Sequence, residues 1–123
     1  MLFELHCHSN YSDGLPSVKE ILEFVAGRLD GFSLTDHNTF SGYKEIKKIN
    51  RDLLIIPGTE LSTDNGHLLC YGIEEINFKP NGNIFEAIDK IKSAGGAAVI
   101  AHPMRPLKQH VKNINVFRKV YAI

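Results

Sequence analysis

Residues 3–20, FELHCHSNYSDGLPSVKE, pass from an alternating apolar run through a polar cluster into a helix start. In a strand, residues two apart share a face. Glu4, His6 and His8 therefore point one way, and Phe3, Leu5 and Cys7 the other. Two imidazoles come to lie side by side, and Cys7 is left as a small buried hydrophobe. After Pro16, Ser17-Val18-Lys19-Glu20 has the form of a capping box. Val18, Ile21, Leu22, Val25 and Leu29 then recur at helical spacing, which predicts a helix through about residue 29. A strand with polar chemistry at its far end, feeding a capped helix, is half of a βαβ unit.

The same grammar repeats downstream. Asp30-Gly31 breaks the first helix, and residues 32–35 form a short apolar strand running into Thr35-Asp36-His37-Asn38. A second helix is expected around residues 42–49, with Tyr43, Ile46 and Ile49 on one face. Residues 53–56 form a strand ending at Pro57-Gly58, and Glu60 follows. Residues 67–73 form another strand after the Asp64-Asn65-Gly66 turn, in a hairpin with the Glu60 segment. Asn83 caps a helix through about Ala94, with Ile84, Ala87, Ile88 and Ile91 inward. Gly95-Gly96 ends it, and residues 97–101 form a buried strand closed by His102-Pro103. A short helix over 107–117 and the start of a strand over 120–123 complete the expectation. Alternating strands and helices with apolar strands indicate α/β architecture with a largely parallel sheet.

Five of the six histidines fall in these polar clusters. Imidazole and carboxylate groups gathered at strand ends suit a borderline or hard divalent metal. Each cluster also has a plainer reading. Asp13-Gly14 is an ordinary turn pair, Thr35, Asp36 and Asn38 would serve a capping loop, and a glutamate after Pro-Gly ordinarily faces solvent. His67 alone could be a turn residue, and His110, in a basic segment, reads as surface. The clusters carry weight together, because α/β folds place their sites at the C-terminal ends of strands.

The 123 residues fit one domain, 1–123, with 43% apolar and 23% charged residues and zero formal net charge. Neutrality gives no global footprint for nucleic acid or a membrane surface. Acids end at Asp89, and seven cations follow, read as solvated surface and helix C-terminal charge. Two cysteines make no disulfide framework. With no signal pattern and no apolar run near about 18 residues, the expected location is cytoplasmic.

His6-x-His8-Ser9, Ser12-Asp13-Gly14, Thr35-Asp36-His37-Asn38, Pro57-Gly58-x-Glu60, Gly66-His67 and Ala101-His102-Pro103, in this order, resemble the PHP (polymerase and histidinol phosphatase) family. The resemblance spans essentially the whole chain. It implies a distorted (β/α)7 barrel with two or three divalent ions (Zn, Mn or Fe) at its mouth and a metal-dependent phosphoesterase activity. His6, His8, Asp13, His37, Glu60 and His102 match the family's metal ligands. Glu60 matches the bridging carboxylate. His67 falls in a less regular region of the family pattern, and Glu4 takes the place of a frequent supporting acid. Ser-Asp-Gly with Ala-His-Pro is most similar to the branch acting on nucleotide phosphates and RNA ends. The family also has a late Asp-x-His, and this sequence contains none. The resemblance therefore implies a partial barrel lacking its C-terminal units, either completed by a partner chain or homo-oligomer or inactive.

The expected reaction is hydrolysis of a phosphate monoester by a metal-bridging hydroxide. Glu60 and a histidine would fix its geometry, His37 or His102 could assist the leaving group, and Arg105 could grip the phosphate. The alternative is a metal-binding fragment without turnover. An amidohydrolase, which also opens with His-x-His, fits the Ser12-Asp13-Gly14 and residue 35–38 motifs less well.

Overall fold

The structure, a computed structural model, describes residues 1–105 and 111–120. The elements in chain order are β1 (Phe3–Cys7), α1 (Val18–Val25), β2 (Gly31–Leu34), α2 (Ser41–Ile49), β3 (Leu54–Ile55), β4 (Gly58–Thr63), β5 (Gly66–Tyr71), α3 (Ile84–Ser93) and β6 (Ala97–Ala101). A 3-10 turn follows at Ile114–Arg118. Two compact units divide the chain, Met1–Thr59 and Glu60–Ile123.

The first unit is α/β in the expected sense. Its sheet has the order β1-β2-β3, and both pairings are parallel. Ser17 caps α1 as its sequence predicts: its side chain accepts from the Glu20 N–H, and the Glu20 carboxylate accepts from the Ser17 N–H at 2.7 Å. The helix is shorter than its periodicity suggests. Ala26 leaves helical geometry and Gly27 takes φ +73°, so Leu29 reaches the core from a turn. Val18, Ile21 and Val25 pack with Phe32, Leu34, Tyr43 and Ile46. Cys7 packs against this cluster, as its strand position requires. Ile49, expected on the inner face of α2, is exposed.

β1 does not keep strict alternation. Glu4 pairs with Phe32 and Cys7 with Leu34, so three steps of β1 match two of β2 and one extra residue bulges. A bulge re-aims side chains beside it, and here it falls across Leu5 and His6.

The second unit departs from the expected parallel sheet. Its order is β4-β5-β6, and β5 runs antiparallel to β6 with His67 opposite Ala101. The two-residue connection at Asp64-Asn65 joins β4 to β5 and allows only a hairpin there, as the sequence predicts. The Asn83 side chain accepts from the Glu86 N–H and starts α3. Ile84, Ala87, Ile88 and Ile91 are buried, and α3 packs against β5 and β6. Residues 106–110 and 121–123 lie outside the described residues, so residues 107–110 of the expected helix, His110 and residues 121–123 of the expected final strand fall there, while residues 111–113 take no regular structure. The remainder of that helix is the 3-10 turn. No helix among the described residues is long and apolar enough to cross a membrane.

Candidate metal centres

In the first unit, His6 lies in β1, His8 just beyond it, and Asp13 on the loop that follows. His37 comes from the loop after β2. The His6 and His8 ring centroids are 5.1 Å apart, and His8 stacks on His37 at 4.5 Å. Asp13 closes the set: Oδ1 lies 3.5 Å from His8 Nδ1, and Oδ2 lies 3.3 Å from His37 Nε2. One ligand atom from each of His8, Asp13 and His37 lies within 4.8 Å of the other two. The Asp13 separations exceed the about 2.7–2.9 Å of a tight charge-assisted hydrogen bond. They match the edge of a tetrahedron of donors about 2.0–2.1 Å from a central ion, roughly 3.3–3.4 Å. The donor set therefore fits a divalent cation. Asp13 is 68% exposed, so this set opens to solvent.

The loop geometry depends on Gly14. A Cβ there would come 2.2 Å from the His8 carbonyl oxygen and 2.9 Å from that of Ser9. The Gly14 and Ser12 N–H groups both donate to the Ser9 carbonyl. The Asp-Gly pair is thus a turn, as its plainer reading has it, and that turn delivers Asp13 between two imidazoles.

In the second unit, Glu60 lies in β4, His67 in β5 and His102 directly after β6. Glu60 is 1% exposed, the reverse of what a glutamate after Pro-Gly ordinarily does. Its Oε1 lies 2.9 Å from His67 Nδ1 and 3.0 Å from His102 Nε2. The two rings meet edge to face at 5.1 Å. These are hydrogen-bond distances, and also about the 3.0 Å edge of an octahedral shell with donors near 2.1 Å. The antiparallel register accounts for the meeting: His67 begins a strand and His102 ends one, yet Ala101 is opposite His67. His102 has φ +30° immediately before Pro103, where a non-glycine residue is strained. Arg105 is exposed, and its N–H donates to the His102 carbonyl in the turn. Glu4 is exposed and accepts from the His6 N–H at 2.8 Å.

Motif reading passes over Asp36, Ser9 and Ser12 as ligands. All three are tied together beneath the first set. Ser9 and Asp36 are buried, and the only sequence signal for them is two serines flanking the His-x-His loop.

No family model matches the sequence. Among curated proteins, the chain is 28% identical over 121 residues to an uncharacterized protein of Methanocaldococcus jannaschii, covering 87% of this chain and 70% of that one. It is also 28% identical to an enolase of Haloarcula marismortui over 75% of this chain, but only 27% of that protein. Among solved structures, a "putative metal-dependent phosphoesterase" from Bifidobacterium adolescentis superposes with TM-score 0.74 at 15% identity, over 94% of this chain and 72% of that one. A two-domain protein from Bacteroides vulgatus, "containing predicted PHP-like metal-dependent phosphoesterase", gives TM-score 0.68 at 22% identity, over 89% and 37%. An amidohydrolase from Chromobacterium violaceum, with bound sulfate and no metal, gives 0.67 at 18% identity, over 85% and 68%. The chain shares the fold of PHP-like proteins, as the resemblance in its motifs implied.

Proposed function

We propose that the chain is a PHP-type, metal-dependent phosphoesterase that hydrolyses a phosphate monoester of a nucleotide or oligonucleotide. The observation that carries this reading is the pair of donor sets, Asp13 between His8 and His37, and Glu60 between His67 and His102, each at ligand-to-ligand separations. The fold neighbours described as phosphoesterases support it. His6, His8, Asp13 and His37 would hold metal in the first unit, and Glu60, His67 and His102 in the second. Two or three ions of Zn, Mn or Fe suit this chemistry.

Divalent ions bound there would neutralise phosphate charge and acidify water. The chain's own groups do the rest. Glu60, held by imidazoles on both sides, presents one buried carboxylate oxygen that can accept and hold a proton. His37 or His102, in place of ligating an ion, can pass a proton to a leaving oxygen. Arg105, exposed in the turn after His102, offers a planar fork to a phosphate. The chain spans about 70% of the Methanocaldococcus relative.

The test is metal content per chain, followed by assays on an aryl phosphate and a 3′,5′-bisphosphonucleotide with added Mn²⁺. Turnover that Glu60→Ala abolishes supports the proposal. Bound metal with no turnover on either substrate refutes the enzyme and leaves a metal-binding fragment. The amidohydrolase neighbour favours a second reading, for which hydrolysis of an N-acyl amide in place of the phosphates would decide.

A further inference from the structure

We infer that Asp36 is the positioning residue of the first donor set: a buried carboxylate tied to a chain neighbour of each of its three close-set ligands. This rests on reading His8, Asp13 and His37 as metal-binding. Asp36 is 1% exposed. Its Oδ1 accepts from the Ser9 N–H and the Ser12 hydroxyl, and its Oδ2 from the Ser9 hydroxyl, each at 2.7 Å. A carboxylate this buried is costly unless its lone pairs are used, and these short bonds use them.

The bonded residues are the sequence neighbours of the ligands. Ser9 follows His8, Ser12 precedes Asp13, and Asp36 precedes His37. One side chain therefore sets three ligand backbones from two segments 24 to 27 residues apart. Its own backbone is fixed in turn, because the Thr59 hydroxyl donates to the Asp36 carbonyl at 2.8 Å. The same hydroxyl accepts from the Thr39 N–H at 3.2 Å. The other side is closed by Gly42, where a Cβ would lie 2.5 Å from Asp36 Oδ2 and 3.3 Å from the Ser9 hydroxyl. Nothing larger than glycine fits against the carboxylate without moving it. Asp36 need touch no ion to act: supporting residues of this kind orient ligands and commonly change metal affinity by about 10–100-fold.

The experiment compares Asp36→Asn and Ser12→Ala with Ser17→Ala, which weakens the α1 cap elsewhere in the same unit. Zn²⁺ affinity of the full chain is measured by competition with a chelating dye, alongside the urea midpoint of the metal-free protein. His8 and His37 ring resonances are followed by NMR in the metal-free protein. Asp36→Asn is expected to lower Zn²⁺ affinity about 10–100-fold, and Ser12→Ala several-fold. Ser17→Ala should lose stability with Zn²⁺ affinity intact. Wild-type affinity in both Asp36→Asn and Ser12→Ala, or a loss matched by Ser17→Ala at equal destabilisation, overturns the inference. If Asp36→Asn does not fold, Ser12→Ala decides by the same comparison. If the wild-type chain binds no Zn²⁺, the metal reading fails on its own. The ring resonances then decide: displaced His8 and His37 signals in Asp36→Asn and Ser12→Ala support positioning, and unmoved signals overturn it.

Discussion

Oε1 of Glu60 lies 3.0 Å from Nε2 of His102, across 42 residues of sequence. The same oxygen is 2.9 Å from His67 Nδ1, so a single buried carboxylate oxygen lies against two imidazoles. A carboxylate between two imidazoles attracts a cation through its charge, and Glu60→Gln removes that charge while keeping the shape. Zn²⁺ affinity should fall about 100-fold or more, since even supporting residues account for about 10–100-fold. Isothermal titration measures the loss directly. In the wild-type chain Zn²⁺ at about 100 times its Kd should add about 2.7 kcal/mol of stability, reversed by chelation. In Glu60→Gln that gain should largely disappear.

Ser17→Ala tests the start of α1. The Ser17 hydroxyl accepts from the Glu20 N–H at 3.2 Å, and the Glu20 carboxylate returns the bond to Ser17 N–H. The bonds that this carboxylate accepts from the Ser17 N–H and the Ser17 hydroxyl hold it below the usual carboxylate range. Loss of a serine cap typically costs about 1 kcal/mol, so the urea midpoint should fall by that cost divided by the unchanged slope, roughly 0.3–1 M.

Gly42→Ala places a methyl group 2.5 Å from Asp36 Oδ2 and 2.6 Å from Leu34 Cδ2. Alanine ordinarily stabilises a helix relative to glycine, so the sign of the effect is diagnostic. Overpacking at this site should destabilise by about 1–3 kcal/mol. A more stable variant in chemical denaturation would show that the α2 contact with Asp36 is looser than described.

Cys70 supplies a pH dependence. Burial pushes its thiol from an ordinary value near 9.0 up to about 12. The native thiol therefore keeps its proton where the unfolded chain has released it. This contribution is complete below about pH 9 and is lost as pH rises toward about 12. Urea midpoints should decline through that window, and Cys70→Ala should flatten the decline relative to wild type. At neutral pH, a thiol reagent should modify Cys70 only on unfolding.

Much of the fold was legible locally. The capping box at Ser17-Glu20, the Asn83 cap, the apolar stripes of α1 and α3 and the Asp64-Asn65 turn all act within a few residues, and each forms where the sequence puts it. Departures arise where a distant partner decides. The bulge in β1 is set by pairing with β2 and breaks an alternation that looks regular in the sequence alone. The end of α1 comes at Ala26 because Gly27 adopts a left-handed conformation, although Leu29 still meets the core. The largely parallel sheet expected for the chain holds in the first unit only; in the second, where the expected hairpin turn joins β4 to β5, β6 runs antiparallel to β5 and its end meets the start of β5.

The sequence by itself determined which donors exist, their order, and which elements carry them, because side-chain chemistry, caps and hydrophobic periods are local properties. Only the tertiary structure decided that Glu60 is buried against two imidazoles, that His67 stands beside His102, and that Asp36 ties Ser9 and Ser12 together under three ligands. Each of those outcomes depends on strand register and loop closure between residues up to 42 positions apart. Registers are fixed by pairing and packing in the folded state, and no single segment contains that information.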